Sequence, residues 1–118
     1  MKIKSFVATM VALICTIACF AQTTPSSKTE TFKVWGNCGM CKSTIEKAAK
    51  DAGASAAIWN KATKMLKITY TEVVTSNAKI QEKIAAAGYD TKDLTAPDAA
   101  YKELPECCQY ERKAGKKN

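Results

Sequence analysis

Histidine is missing altogether from the 118 residues. Its absence removes the Cys2His2 zinc geometry and the usual general base that activates a cysteine nucleophile, so cysteine–histidine catalysis is excluded and no enzymatic role is expected. Proline is scarce, at three residues, and Pro25, Pro97 and Pro105 all fall outside the segments that read as regular structure. Acidic residues are the minority, 11 against 18 basic ones, which leaves a net charge of +7. That excess is spread thinly. Only Arg112, Lys113, Lys116 and Lys117 crowd together, with Tyr110 the one aromatic beside them. Without a basic stripe interleaved with aromatics, nothing points to a nucleic-acid partner. No apolar run reaches the roughly 20 residues that a bilayer span needs.

The longest apolar stretch runs from Phe6 to Phe20, follows Lys2 and Lys4, and closes on the small residue Ala21. A basic start, an apolar core and a small-residue boundary predict a secretory signal peptide over 1–21, cleaved to leave Gln22 as the N-terminus. The mature protein is then expected outside the cytoplasm, in a periplasm or the extracellular space, with no stable membrane insertion. The alternative is lipid anchoring at Cys19, although Thr16 stands where such sites usually have an aliphatic residue. Residues 22–30 are polar, carry Pro25 and read as a flexible leader. Of six cysteines, cleavage would leave Cys38, Cys41, Cys107 and Cys108.

Regular structure is legible from residue 31. Phe32 and Val34 alternate with polar neighbours and predict a strand over 31–35. Residues 36–40 form a loop, and Ile45, Ala48, Ala49 and Ala52 recur at helical spacing over 41–52, stopped by Gly53. Strands are expected over 56–59 and 65–71, the second with Leu66, Ile68 and Tyr70 on one face. Ser76 or Asn77 caps a second helix through Ala87 whose stripe is Ile80, Ile84 and Ala87, ended by Gly88. A weaker strand over 89–95 completes the order. The pattern β-α-β-β-α-β predicts an α+β, ferredoxin-like sandwich. Trp35 and Trp59 are expected on the sheet face away from the helices.

Chemistry concentrates in Gly36-Asn37-Cys38-Gly39-Met40-Cys41-Lys42. Two thiols separated by two residues converge on one ion when the first lies in a loop and the second opens a helix. The partial positive charge of the helix N-terminus favours the thiolate, which is the metal-binding form. Gly36 and Gly39 are read as giving the loop its tight path, and Lys42 as a group that lowers a neighbouring thiol pKa or steers an acidic partner. Two sulfurs without histidine select soft ions. Cu(I) is the expected metal, with Hg(II) or Zn(II) as alternatives.

Residues 31–95 resemble the heavy-metal-associated domain family, which includes copper chaperones, N-terminal domains of copper-transporting ATPases and the periplasmic mercuric-ion-binding protein. Gly36, the Cys38–Cys41 pair and Gly88-Tyr89 carry the resemblance. It implies a metallochaperone-like carrier or scavenger that binds its ion on Cys38 and Cys41. Its implied partners are a metal-transporting membrane ATPase or another metal-binding domain. It also implies a place for Tyr89, with Met40, beside the metal. The family usually has a methionine where this chain has Gly36, and here Met40 stands between the cysteines instead.

A thiol–disulfide redox module is the rival reading, because Trp35 to Lys42 looks like a thioredoxin site. That fold would need a strand and helix ahead of the site, and only the polar leader is available. Beyond the family core, 96–118 form an extension with a Cys107–Cys108 pair and a basic tail. Tyr101, Leu104 and Tyr110 are apolar enough to dock on the domain. The dozen residues from Thr95 to Cys107 could span up to about 40 Å, enough to return along a strand of roughly 20 Å. Cys107 and Cys108 are therefore candidates to join the Cys38–Cys41 site.

Overall fold

The computed structural model describes residues 26–113. The signal segment 1–21 and Cys19 lie outside them. Strand β1 spans Ser27–Lys33, helix α1 Gly39–Asp51, β2 Ala56–Trp59, β3 Met65–Thr71 and helix α2 Asn77–Ala86. The extension adds a short helix α3, Asp98–Lys102, and a 3-10 turn at Glu106–Cys108. The strands form one antiparallel sheet in the order β1-β3-β2. Among the described residues no helix is long and apolar enough to cross a membrane.

Alternation decides the sheet faces. In β3, Leu66, Ile68 and Tyr70 are buried, and in β2 Ala57 and Trp59 are buried while Ile58 points to solvent. They meet Ile45, Ala48 and Ala49 of α1 and Ile80 and Ile84 of α2 in a single core with Phe32 and Val34. Each fully buried Ile or Leu contributes about 1.5–3 kcal/mol, so these few side chains hold the layers together. Trp59 therefore lies on the helix-facing side of the sheet, in register with Leu66, and not on the outer face. Its indole N–H donates to the Val34 carbonyl at 3.0 Å, which lets the ring sink into the core. Trp35, half-buried, is flanked instead by the ammonium groups of Lys33 and Lys113.

Three boundaries differ from the sequence expectation. Residues Ser27 to Glu30, read as leader, belong to β1 and pair with Thr71 to Ile68 of β3. Their side chains are polar and mostly exposed, so they carry no apolar signal; the backbone ladder holds them, aided by Lys28–Glu72 and by Asn77 donating to Glu30. Helix α1 begins two residues early. Cys38 is its extended N-cap, and the Lys42 N–H already donates to the Cys38 carbonyl at 3.1 Å.

The third difference concerns 89–95. The ferredoxin-like arrangement holds, but the fourth strand is reduced to one bridge, Val34 with Thr91, and the Trp35 N–H donating to the Asp90 carbonyl. Polar side chains take the backbone groups that a ladder would use. The Asp93 N–H donates to Gln81 Oε1, the Ala96 N–H to Asp90 Oδ1 and the Leu94 N–H to Thr91 Oγ1. The Lys113 ammonium donates to the carbonyls of Thr91 and Leu94. Asp90, Thr91 and Gln81 are buried, and a buried polar side chain needs such partners.

Candidate metal centre

Loop and helix together position the first two thiols. Cys38 caps α1 and Cys41 sits in its first turn, fully buried, with the two Sγ atoms 3.4 Å apart. The backbone N–H groups of Cys41 and Met40, aimed at the Cys38 sulfur from the open helix end, bring its pKa down to about 7. Burial works against that effect and the neighbouring thiols assist it. The Cys41 thiol donates to Asn37 Oδ1 at 3.1 Å, which fixes the rotamer that turns its sulfur toward Cys38.

Gly36 lies where the loop passes over Trp59. A Cβ there would stand 3.1 Å from the Trp59 ring and 3.2 Å from the Cys41 Cβ, closer than ordinary carbon contacts. The indole occupies the space beneath the loop, so a side chain at 36 would have to push it or Cys41 aside. Gly39 has open space around its Cα and its backbone is ordinary helix, so the tight path does not depend on it.

The extension comes back to this loop. Cys108 is buried with its Sγ 3.6 Å from that of Cys38, and Cys38, Cys41 and Cys108 form a group whose sulfurs all lie within 4.8 Å of one another. Burial, with the surrounding thiols, pushes the Cys108 thiol up. The four cysteines among the described residues are free thiols. Cys107 is exposed and stands at the edge of the group: its Sγ lies 3.6 Å from Met40 Sδ and 3.7 Å from Cys108 Sγ.

Tyrosines and an arginine carry the tail. Tyr89, placed by the turn at Gly88 (φ +108°), is buried beside Cys41. Desolvation, followed by Cys41, pushes its phenol up. Tyr110 stacks on Tyr89 with ring centroids 5.6 Å apart and meets Tyr101 edge-on at 5.1 Å. The Tyr110 hydroxyl donates to the Gly88 carbonyl and accepts from the Asp90 N–H, each at 2.7 Å. The Tyr101 hydroxyl donates to the Tyr110 carbonyl at 2.6 Å. Arg112, which reads in the sequence as one member of a basic tail, is buried against Asp90 and bonds Asp98 and the Ala96 carbonyl. A charge run carries no mark of which member turns inward.

Lys42 does not face the sulfurs. Its ammonium pairs with Glu46 and donates to the Trp59 carbonyl at 2.9 Å, so its charge is spent on the α1–β2 contact.

No protein-family model matches the sequence, and no curated protein matches it. Solved structures do. The chain is similar to the CopZ metallochaperone, with 27% identity over 54% of this chain and 98% of that one, at a TM-score of 0.52. Oxidised MerP from Ralstonia metallidurans CH34 shares 29% identity over 57% of this chain and 96% of its own, at 0.53. The fold is that of heavy-metal-associated domains. A third such domain gives 25% identity over 57% of this chain and 86% of its own, at a TM-score of 0.54. It is the N-terminal domain of a potential copper-translocating P-type ATPase from Bacillus subtilis in the Cu(I)-loaded state. In each case the match leaves more than a third of this chain uncovered, ample room for the tyrosine-anchored tail. That tail brings a third thiol to the Cys38–Cys41 loop.

Proposed function

We propose that this is an exported scavenger of Cu(I), which it holds on three thiolates: Cys38, Cys41 and Cys108. The observation that carries the reading is the convergence of the three sulfurs at the N-terminal end of α1. Thiolates about 2.3 Å from one ion are at most about 4.6 Å apart, and the three here need only small adjustments to enclose it. Soft sulfur ligands and the lack of histidine favour Cu(I). The Cu(I)-loaded ATPase domain among the similar structures is in keeping with that choice.

The third sulfur sets the behaviour. A two-thiolate ion is open to attack by an incoming thiolate, which suits rapid hand-over. A third buried thiolate completes the coordination and must be displaced before the ion leaves, which suits retention. Release to an ATPase domain or another metal-binding domain would then require the tail to loosen. The role proposed is binding rather than catalysis, a reading supported by the lack of histidine.

The test is anaerobic Cu(I) titration of the reduced protein against a chromophoric Cu(I) chelator. Cys38→Ser with Cys41→Ser should abolish high-affinity binding, and Cys108→Ser should weaken it at least tenfold while leaving the circular dichroism unchanged. Undiminished binding by the Cys38→Ser/Cys41→Ser protein would sink the assignment. Binding of Hg(II) or Zn(II) in preference to Cu(I) would keep the site and replace the metal. Thiol–disulfide exchange with a protein substrate, without metal retention, would favour the redox reading.

A further inference from the structure

Cys107 belongs to no shared group with Cys38 and Cys41. The thiols whose sulfurs all lie within 4.8 Å of one another are Cys38, Cys41 and Cys108. Cys107 Sγ is 3.7 Å from that of Cys108, so it is Cys38 or Cys41 that lies beyond its reach. The group that forms is of three thiols and leaves Cys107 outside it.

What it has instead is a second set of sulfurs. Met40 Sδ lies 3.6 Å from Cys107 Sγ, and Cys108 Sγ lies 3.7 Å from it on the other side. Met40 is 56% exposed at the start of α1, so its thioether is open to an incoming ion. The five sulfurs thus run in a chain, Met40, Cys107, Cys108, Cys38, Cys41, each within 3.7 Å of the next. Cys108 is common to both halves, and a thiolate has lone pairs enough to bridge two soft ions.

We propose that Met40, Cys107 and Cys108 form a second soft-metal site that takes a Cu(I) ion outside the first, with the Cys108 thiolate bridging the two. Each thiol gives its proton to solvent as it joins an ion, and no oxidant or reductant is involved. Two thiolates and a thioether are ligands of the soft class that Cu(I) prefers. The outer site lacks the burial of the inner one and has one neutral ligand, so it fills second and empties first. The proposal rests on the inner site described above, and its test separates the two.

The experiment is anaerobic Cu(I) titration of the reduced full chain, followed by native mass spectrometry in the presence of a competing chelator. Cys15→Ser and Cys19→Ser are introduced throughout, so that only the four cysteines of the site remain. The parent should hold two ions, and Met40→Leu/Cys107→Ser should hold one, still lost on Cys38→Ser/Cys41→Ser. X-ray absorption of the two-ion form should show a short copper–copper vector that vanishes in Met40→Leu/Cys107→Ser. A parent that stops at one ion, or a Met40→Leu/Cys107→Ser protein that still takes two, overturns the outer site and leaves the inner one standing. A Met40→Leu/Cys107→Ser protein that binds no ion at all would instead count against the inner site.

Discussion

Arg112 grips Asp90 with two hydrogen bonds, Nη2 to Oδ1 at 2.9 Å and Nε to Oδ2 at 3.2 Å, and both side chains are sealed from solvent. This pair ties the extension to the segment that the sequence pattern assigns to a fourth strand. Cys107 and Cys108 lie between that anchor and α3, so the latch sets where their sulfurs sit. Burial alone would raise the Asp90 carboxyl. Arg112, with the N–H groups of Ala96 and Lys113, holds it below the usual carboxylate range.

Breaking the latch should therefore reach the metal centre. Arg112→Met leaves a buried, unpaired carboxylate and is expected to cost about 3–5 kcal/mol, read as a fall in the urea midpoint. The pH dependence follows from the depressed carboxyl. The unfolded chain protonates Asp90 more readily, so the pair's contribution is complete above about pH 4 and is lost as the pH falls through the folded-state value. Asp90→Asn should flatten the acid limb of the stability profile. An acid limb unchanged in that variant would show that the pair is not the group being titrated.

The space under the metal loop gives a second prediction. Gly36→Ala drives a methyl group against the Trp59 ring and Cys41 Cβ and should destabilise by about 1–3 kcal/mol, as overpacking does. Trp59→Phe, which removes the outer part of the indole, should recover part of that loss when the two changes are combined. Additive effects in the double-mutant cycle would mean that the two residues do not compete for one space.

Thiol reactivity gives a third. In the metal-free, reduced protein Cys38 should alkylate with a midpoint at about pH 7, because helix N–H groups favour its thiolate. Cys108, buried and pushed up, should stay unreactive across the neutral range. Peptide mapping after brief iodoacetamide treatment reads both. Equal rates for Cys38 and Cys108 would mean that the tail does not close over the loop.

The parts of the fold that could be read from sequence are those with a repeating apolar signal. Leu66, Ile68 and Tyr70 alternate, Ile80 and Ile84 share a helical stripe, and both segments lie where their periodicity puts them. Ser27 to Glu30 escaped because an edge strand held by its backbone needs no apolar residues. The stretch 89–95 misled because its period resembles a strand, while Asp90 and Thr91 turn inward to bond side chains from elsewhere in the chain. The Cys38–Cys41 pair was legible from spacing alone. The approach of Cys108 was not, since chain length permitted a return without requiring it. What enforces it are the Tyr110 stack on Tyr89 and the Arg112 latch, contacts across about 20 residues that no local pattern encodes.

The most direct test of the central claim is X-ray absorption on the protein loaded with one equivalent of Cu(I), with and without Cys108→Ser. The account predicts three sulfurs around copper in the parent. It predicts two sulfurs at a shorter distance in the variant, because two-coordinate Cu(I) draws its ligands closer. Two sulfurs at one and the same distance in both proteins would contradict it, and would leave Cys38 and Cys41 as the whole of the site.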